Sequence, residues 1–309
     1  MKVVDTIRNA KSTLFTFELM PPLKGNSFAE IAEAVERLIA YNPAYINITH
    51  HRAEVVLREL ANGLFEKQVV RKRAGTVSIA AAIKYRYGVE VVPHMVCGGY
   101  NRSEIEDILI DLSFLDINNI LVLRGDPVAG EKHFTPEKNG YAHAVELLQQ
   151  VQDMNAGKYA TRFCCGVAGY PEKHSESPNM EADLRCLKSK VNAGAEYVVT
   201  QMFFDNQKYF DFVAACRSAG IDVPIIPGLK PLAAEKQLSV LPQIFHIDLP
   251  QPLVQEVKRC KGSAQDIRRV GVEWCAAQCS ELKRAGVPAL HFYTMGKADN
   301  VEQIVRRVF

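Results

Sequence analysis

The sequence predicts an α/β protein built as a single (β/α)₈ barrel over residues 1–309, and three observations carry that expectation. Eight short apolar runs recur along the chain, each separated from the next by a longer helical pattern. Most runs are continuously apolar rather than alternating, as parallel strands covered on both faces are. Third, no G-x-G-x-x-G follows the first run and no P-loop occurs anywhere, which counts against the rival fold, a doubly wound open sheet. Neither an internal repeat nor a Pro/Gly/Ser-rich linker interrupts the alternation, and 309 residues suit one large barrel.

The expected strands are Leu14–Phe17, Tyr45–Ile48, Glu90–Val92, Ile120–Leu123, Arg162–Val167, Tyr197–Val199, Val223–Ile226 and Leu290–Phe292. Between them, Ser27-Phe28-Ala29-Glu30 reads as a capping box ahead of Ile31, Val35, Leu38 and Ile39 at helical spacing. Ser103-Glu104-Ile105-Glu106 repeats the pattern before Ile108, Leu109 and Leu112. Met180, Leu184, Leu187 and Val191 form an apolar stripe ending near Gly194, and Ile267, Val270, Trp274 and Ala277 mark a long helix closing near Gly286. The long spacing after the seventh strand leaves room for one or two extra helices around 231–260.

Composition narrows the function. Lys plus Arg number 37 against 35 Asp plus Glu, a net charge of +2 that argues for neither nucleic acid nor an anionic membrane as partner. Arg71-Lys72-Arg73 reads as a solvated loop or helix face. No apolar run approaches the ~20 residues of a membrane span, and the N-terminus lacks a signal-peptide apolar core, so a cytoplasmic protein is expected. The eight cysteines include no CxxC pair and have no histidine at zinc-ligand spacing; they read as reduced, buried thiols, with no metal site.

In a barrel, functional groups belong at the C-terminal ends of the strands. Glu18 stands among Phe17, Leu19, Met20, Pro21 and Pro22, and a carboxyl group with little water around it holds its proton more tightly, as a general acid near neutral pH requires. A Glu tied to an Arg in the barrel mouth is an equal alternative. Arg124-Gly125-Asp126-Pro127 places a cation and an anion two residues apart; it suits an anionic ligand, but it is also a good turn, and the turn is favoured. Asp183 and Lys190, seven apart, default to a solvated helix face. Histidines 50, 94, 174 and 291 default to hydrogen-bonded structural groups. Phe203, Phe204, Phe292 and Tyr293 are either a slot for a ring or rim packing.

Taken together the strand ends resemble the methylenetetrahydrofolate reductase family. The matching pieces, in order, are Phe17-Glu18 with Pro21-Pro22, Pro93-His94, Leu123-Arg124-Gly125-Asp126, Tyr141-Ala142 and Gly169-Tyr170-Pro171-Glu172 with His174. They continue through Asp183-Leu184 with Lys190, Gly194-Ala195, Thr200-Gln201 with Phe203-Phe204-Asp205, Ile225-Ile226-Pro227-Gly228 and His291-Phe292-Tyr293-Thr294. The resemblance implies a barrel that holds FAD without a covalent bond and passes hydride from NADH or NADPH to methylenetetrahydrofolate by a ping-pong route. It implies that Thr49, His94, Arg124, Gly125, Asp126, Tyr141, Ala142, Tyr170, His174, Asp183 and Lys190 surround FAD. Glu18 becomes the general acid, Asp126 a second catalytic carboxylate, and Gln201, Gln237, Tyr293 and Lys297 the folate contacts.

Several positions depart from the family's pattern. Leu19-Met20 are aliphatic where aromatics are usual, Cys186 stands in place of a frequent Asn, Leu241 in place of an aromatic, and Lys297 in place of an Arg. The first half of 50–88 matches poorly, and nothing resembling the regulatory domain of animal members follows the barrel. Self-association into a homo-oligomer is expected. Two other functions stay open: a barrel flavoenzyme oxidising an amine, as proline dehydrogenases do, and a non-catalytic flavin- or folate-binding subunit.

Overall fold

The computed structural model describes residues 1–128, 131, 133–157 and 161–309. Eight parallel strands close into a barrel: Leu14–Leu19 (β1), Tyr45–Ile48 (β2), Val91–Val96 (β5), Asn119–Leu123 (β6), Cys164–Gly169 (β7), Tyr197–Met202 (β8), Ile225–Leu229 (β9) and Ala289–Tyr293 (β10). Each of the eight expected runs overlaps one strand of this barrel, although Glu90, Arg162, Phe163, Val223 and Pro224 lie just ahead of theirs. The numbering gap belongs to an antiparallel hairpin, Glu54–Glu59 (β3) and Phe65–Val70 (β4), which the sequence reading did not anticipate.

Strand alternation divides the side chains into two layers. Phe15, Phe17 and Leu19 of β1, Ile46 and Ile48 of β2, and Leu290 and Phe292 of β10 point outward and pack under the helices. Tyr45, Val92, Leu121, Cys164, Tyr197, Val199, Ile226 and Ala289 fill the interior. Val3, Val4 and Ile7 of the first helix, Val3–Asn9 (α1), close the interior from below. Two close approaches require glycine. A Cβ on Gly166 would lie 2.4 Å from the Tyr197 ring, and one on Gly228 would lie 2.2 Å from the Thr200 carbonyl oxygen.

The outer helices are Ala29–Ile39 (α2), Thr76–Tyr87 (α3), Arg102–Phe114 (α4), Ala144–Ala156 (α5), Met180–Asn192 (α6) and Asn206–Ser218 (α7). Gln237–Phe245 (α8) and Gln251–Arg259 (α9) fill the long spacing after β9. Ala264–Arg284 (α10) and Asp299–Val308 (α11) complete the set. Both expected capping boxes need correction. Ser27 Oγ accepts only from Ala29 N, at 3.2 Å, and Phe28 is the cap. In α4 the box lies two residues earlier: Asn101 Oδ1 accepts from Glu104 N at 3.0 Å, and Glu104 Oε2 accepts from Asn101 N at 2.8 Å. An Asn caps as well as a Ser, so the nearer serine was the wrong choice.

Arg71 and Lys72 are exposed in the loop after β4, as expected, but Arg73 is half-buried and donates to the Pro21 carbonyl at 2.7 Å. Of the cysteines, 97, 164, 165, 216, 275 and 279 are buried free thiols, whereas Cys186 is exposed and Cys260 half-buried. Among the described residues no helix is long and apolar enough to cross a membrane.

Candidate active site

The C-terminal ends of the strands surround a cavity of about 500 Å³. Register brings its deepest wall together: Glu18 sits level with Asn47 on β2 and with Tyr293 on β10. His94 Nε2 lies 3.9 Å and His291 Nε2 4.0 Å from Glu18 Oε2. Asn47 Nδ2 is 3.4 Å from His94 Nε2, and Thr16 Oγ1 is 2.6 Å from His291 Nδ1. Thr294 Oγ1 donates to the Glu18 carbonyl at 2.7 Å, and the Tyr293 hydroxyl donates to the Thr200 carbonyl at 2.6 Å.

This wall corrects the picture drawn from Glu18's sequence neighbours. Phe17 and Leu19 point away from it into the helix layer, so the carboxyl faces imidazoles, an amide and a phenol. Among the described residues no arginine pairs with it, so the alternative of an Arg-tied Glu is not what the wall contains. Glu18 is 9% exposed, His94 8%, and Asn47 and His291 0%. Burial pushes the His94 imidazole down to about 4, with the Glu18 carboxylate pulling the other way, so the ring is neutral at pH 7. Asn47 Oδ1 and His291 Nε2 are buried with no hydrogen-bond partner among the described residues, which leaves two polar atoms beside the carboxyl for a ligand to satisfy.

The opposite wall is charged and more open. The Arg124 guanidinium binds both carboxylate oxygens of Glu176, one of them at 2.8 Å, and that partner holds the guanidinium above its usual range and the carboxylate below its own. Gly125 adopts φ +88°, a left-handed conformation that turns the chain from Arg124 to Asp126. The Arg-Gly-Asp-Pro turn therefore forms, and all four residues line the cavity. Tyr170 and His174 stack edge to face at 4.7 Å on the same side. Burial raises the Tyr170 phenol to about 12 and lowers His174.

Of the expected site residues, Glu18, Thr49, His94, Arg124, Gly125, Asp126, Tyr170, His174, Gln201 and Tyr293 line this one cavity. Asp183 and Lys190 sit behind it and are no solvated face. Asp183 is 7% exposed and accepts from Ser177 Oγ at 2.7 Å and from His174 N at 3.3 Å. Lys190 Nζ donates to the Ala168 carbonyl at 2.7 Å, and burial lowers its ammonium to about 8. Four residues lie away from the cavity lining. Tyr141 is buried beneath the Arg102 guanidinium, and Ala142 N is capped by Glu146. Gln237 Oε1 accepts from Ala233 N at 2.7 Å, and Lys297 is an exposed turn residue. Cys186 is exposed and Leu241 packs into the apolar layer under α8 and α9, whereas Phe203, Phe204 and Phe292 are core.

Five residues at or beside the site were missed: Asn47, His51, Arg52, Lys230 and His291. Six of the eight histidines line the cavity, including His51, which lies close enough to feel the Glu18 and Asp126 carboxylates. Asn47 and His291 were separable from structural residues only by register. Lys230 is 6% exposed just past β9; burial, the larger effect, lowers its ammonium, while Glu18 lies near enough for its carboxylate to raise it. Arg52 lies in the loop after β2, four residues past Ile48.

A closed parallel barrel whose C-terminal mouth gathers a buried carboxyl, imidazoles and a held guanidinium defines the class of protein as a barrel with an enzyme-type site. The methylenetetrahydrofolate reductase family matches residues 2–308, and the chain belongs to that family. It is 29% identical over 304 residues to a probable methylenetetrahydrofolate reductase (NADPH) of Caenorhabditis elegans, covering 98% of this chain and 43% of the relative. It is 32% identical over 284 residues to the 5,10-methylenetetrahydrofolate reductase of Escherichia coli, covering 92% and 86%. The chain thus spans about half the length of the eukaryotic relatives it matches. A Clostridium thermocellum protein described as binding two copies of 5-methyl-5,6,7,8-tetrahydrofolic acid shares the fold, with a TM-score of 0.60 at 17% identity over 99% of this chain and 97% of that one.

Proposed function

We propose that this chain reduces methylenetetrahydrofolate to methyltetrahydrofolate in a cavity that holds FAD. The observation that carries the reading is the buried wall, where Glu18 faces two imidazoles and an amide, and where Asn47 Oδ1 and His291 Nε2 have no hydrogen-bond partner among the described residues, at the mouth of a barrel of this family. The lining suits a flavin dinucleotide: Arg124 offers a fork on which phosphate oxygens would replace the Glu176 carboxylate, Gly125 leaves the backbone open, and Tyr170 with His174 supplies a ring-lined side. Thr49, His94 and Asp126 would complete that set. Asp183 and Lys190 would act by fixing the His174 loop and the end of β7. When bound, the flavin supplies hydride chemistry between NAD(P)H and folate.

The chain's own work is acid catalysis and charge placement. Glu18 donates a proton to the bridging nitrogen of the folate's five-membered ring, the C–N bond opens, and a cationic iminium remains. Its departing proton leaves a carboxylate beside that cation, and Asp126 adds a second. His94, neutral at pH 7, does not compete with Glu18 as a cation. Gln201 and Tyr293 line the same space and would orient the pterin, while Gln237 and Lys297 would meet only the outer part of the substrate. NAD(P)H and folate would use the one cavity in turn. Glu18→Gln is expected to keep bound flavin and its bleaching by NADH while losing about 10²–10⁴ in the rate of the folate half-reaction, followed by anaerobic stopped-flow absorbance. A variant that reduces folate at the wild-type rate removes Glu18 as the acid.

A further inference from the structure

Arg52 belongs to no expected site, yet it lines the cavity from the loop after β2, beyond the end of the carboxyl wall. Its side chain lies over the turn after β5: a Cβ on Gly99 would stand 3.2 Å from Arg52 Cγ, and one on Gly98 would stand 3.7 Å from its Nη1. Gly99 has φ +85°, and Gly98 N donates to the Arg124 carbonyl at 3.1 Å, so the turn that seats Arg52 is tied to the strand end that carries Arg124. Phe134 links the two guanidiniums. Arg124 stacks 5.1 Å from its ring centroid, and the ring edge lies 3.1 Å from the Cβ position of Gly98, beside Arg52.

Each guanidinium is held from one edge by a rim carboxylate. Arg52 Nη2 donates to Glu137 Oε1 at 2.5 Å, and Arg124 pairs with Glu176. Arg52 Nη1, in contrast, is buried and has no hydrogen-bond partner among the described residues. A charged donor buried without an acceptor is costly, and a guanidinium fork matches phosphate oxygens in geometry and charge. We infer that Arg52 and Arg124 form a two-guanidinium seat for the diphosphate of a dinucleotide, with the free Nη1 of Arg52 as the donor that the diphosphate satisfies. Two guanidiniums meet two phosphate charges there, and the diphosphate takes the place of Glu176 on the Arg124 fork while Arg52 keeps its Nη2 bond to Glu137.

The assignment rests on the flavin reading above and commits to FAD as the dinucleotide. Its test is the binding of FAD and of riboflavin, which has no diphosphate, to the apoprotein, followed by flavin fluorescence in the wild type and in Arg52→Gln. The expected result is FAD affinity about 10–100-fold weaker in the variant, with riboflavin affinity unchanged. FAD affinity within twofold of wild type overturns the seat for FAD. If that result is joined by a tenfold rise in the NADH concentration needed for half-maximal bleaching, the diphosphate belongs to the nicotinamide dinucleotide. Equal weakening of FAD and riboflavin also overturns the assignment, because Arg52 then shapes the cavity rather than meeting a phosphate. Should Arg52→Gln fail to fold by circular dichroism, Arg52→Lys decides: it keeps the charge without the fork, and FAD is expected to weaken while riboflavin does not. A wild-type protein that binds neither flavin defeats the flavin reading itself, and with it this seat.

Discussion

The two walls of the cavity are built on opposite principles. On the β1–β2–β5–β10 side, Glu18, Asn47, His94 and His291 are at most 9% exposed and meet through strand register. At the rim beyond β2 and β6, Arg52 and Arg124 have side chains 20% and 21% exposed, and their carboxylate partners Glu137 and Glu176 are 45% and 42% exposed. A buried wall with unpaired polar atoms is fixed in place and suits proton transfer to a reacting atom. Rim ion pairs contribute little to stability and exchange partners readily, which suits holding a charged ligand. The difference assigns chemistry to the first wall and grip to the second.

Asp126 sharpens that division because it lies on the gripping side but is expected to act on the chemistry. Smaller than the loss expected at Glu18, Asp126→Asn should slow the folate half-reaction by about 10–100-fold while changing FAD affinity severalfold at most. Stopped-flow absorbance and a flavin titration separate the two. If FAD affinity falls more than the rate, Asp126 belongs with the gripping wall.

The buried wall also has a pH signature. His94 titrates near 4 in the folded protein against 6.5 as its ordinary value, so the unfolded chain binds more protons between those limits. Its contribution to stability is present above pH 6.5 and is lost as pH falls towards 4. In urea unfolding of the apoprotein, His94→Gln should lose about 1–3 kcal/mol less than wild type between pH 7 and pH 4. His50, pushed down to about 4 by its own burial, keeps part of the slope in the variant. Identical slopes would mean that His94 is not neutralised by burial.

The smallest effect is expected outside both walls. The β3–β4 hairpin pairs along its length with itself and leaves Leu57 69% and Phe65 63% exposed. Leu57→Ser with Phe65→Ser should therefore change the stability of the chain by less than about 0.5 kcal/mol per site, measured in urea. A loss of several kcal/mol would show that the hairpin is covered in solution.

Sequence legibility followed the same division. The barrel strands were readable because a strand buried on both faces is apolar throughout, and Leu14, Tyr45 and Tyr197 begin their strands as expected. The hairpin had a readable signal in Asn62-Gly63, with Gly63 at φ +77°, but its charged strands do not look like barrel strands. Glu18 was found, but its surroundings were misread, because neighbours in sequence alternate to the opposite face of a strand. Asn47 and His291 reach Glu18 from β2 and β10, the latter some 270 residues away, and register between parallel strands leaves no local mark. Arg52 was invisible for a similar reason, since Gly98, Arg124 and Phe134 come to it from three later segments.

The central claim is tested most directly by the visible spectrum of the purified protein, taken under anaerobic conditions through addition of NADH and then methylenetetrahydrofolate. The account predicts a yellow protein that bleaches with NADH and regains its colour with the folate. Bleaching without recovery would keep the flavin but contradict the folate reaction, leaving an amine-oxidising barrel as the better reading. A protein that stays colourless even with added FAD would contradict the flavin reading and leave the barrel and its family.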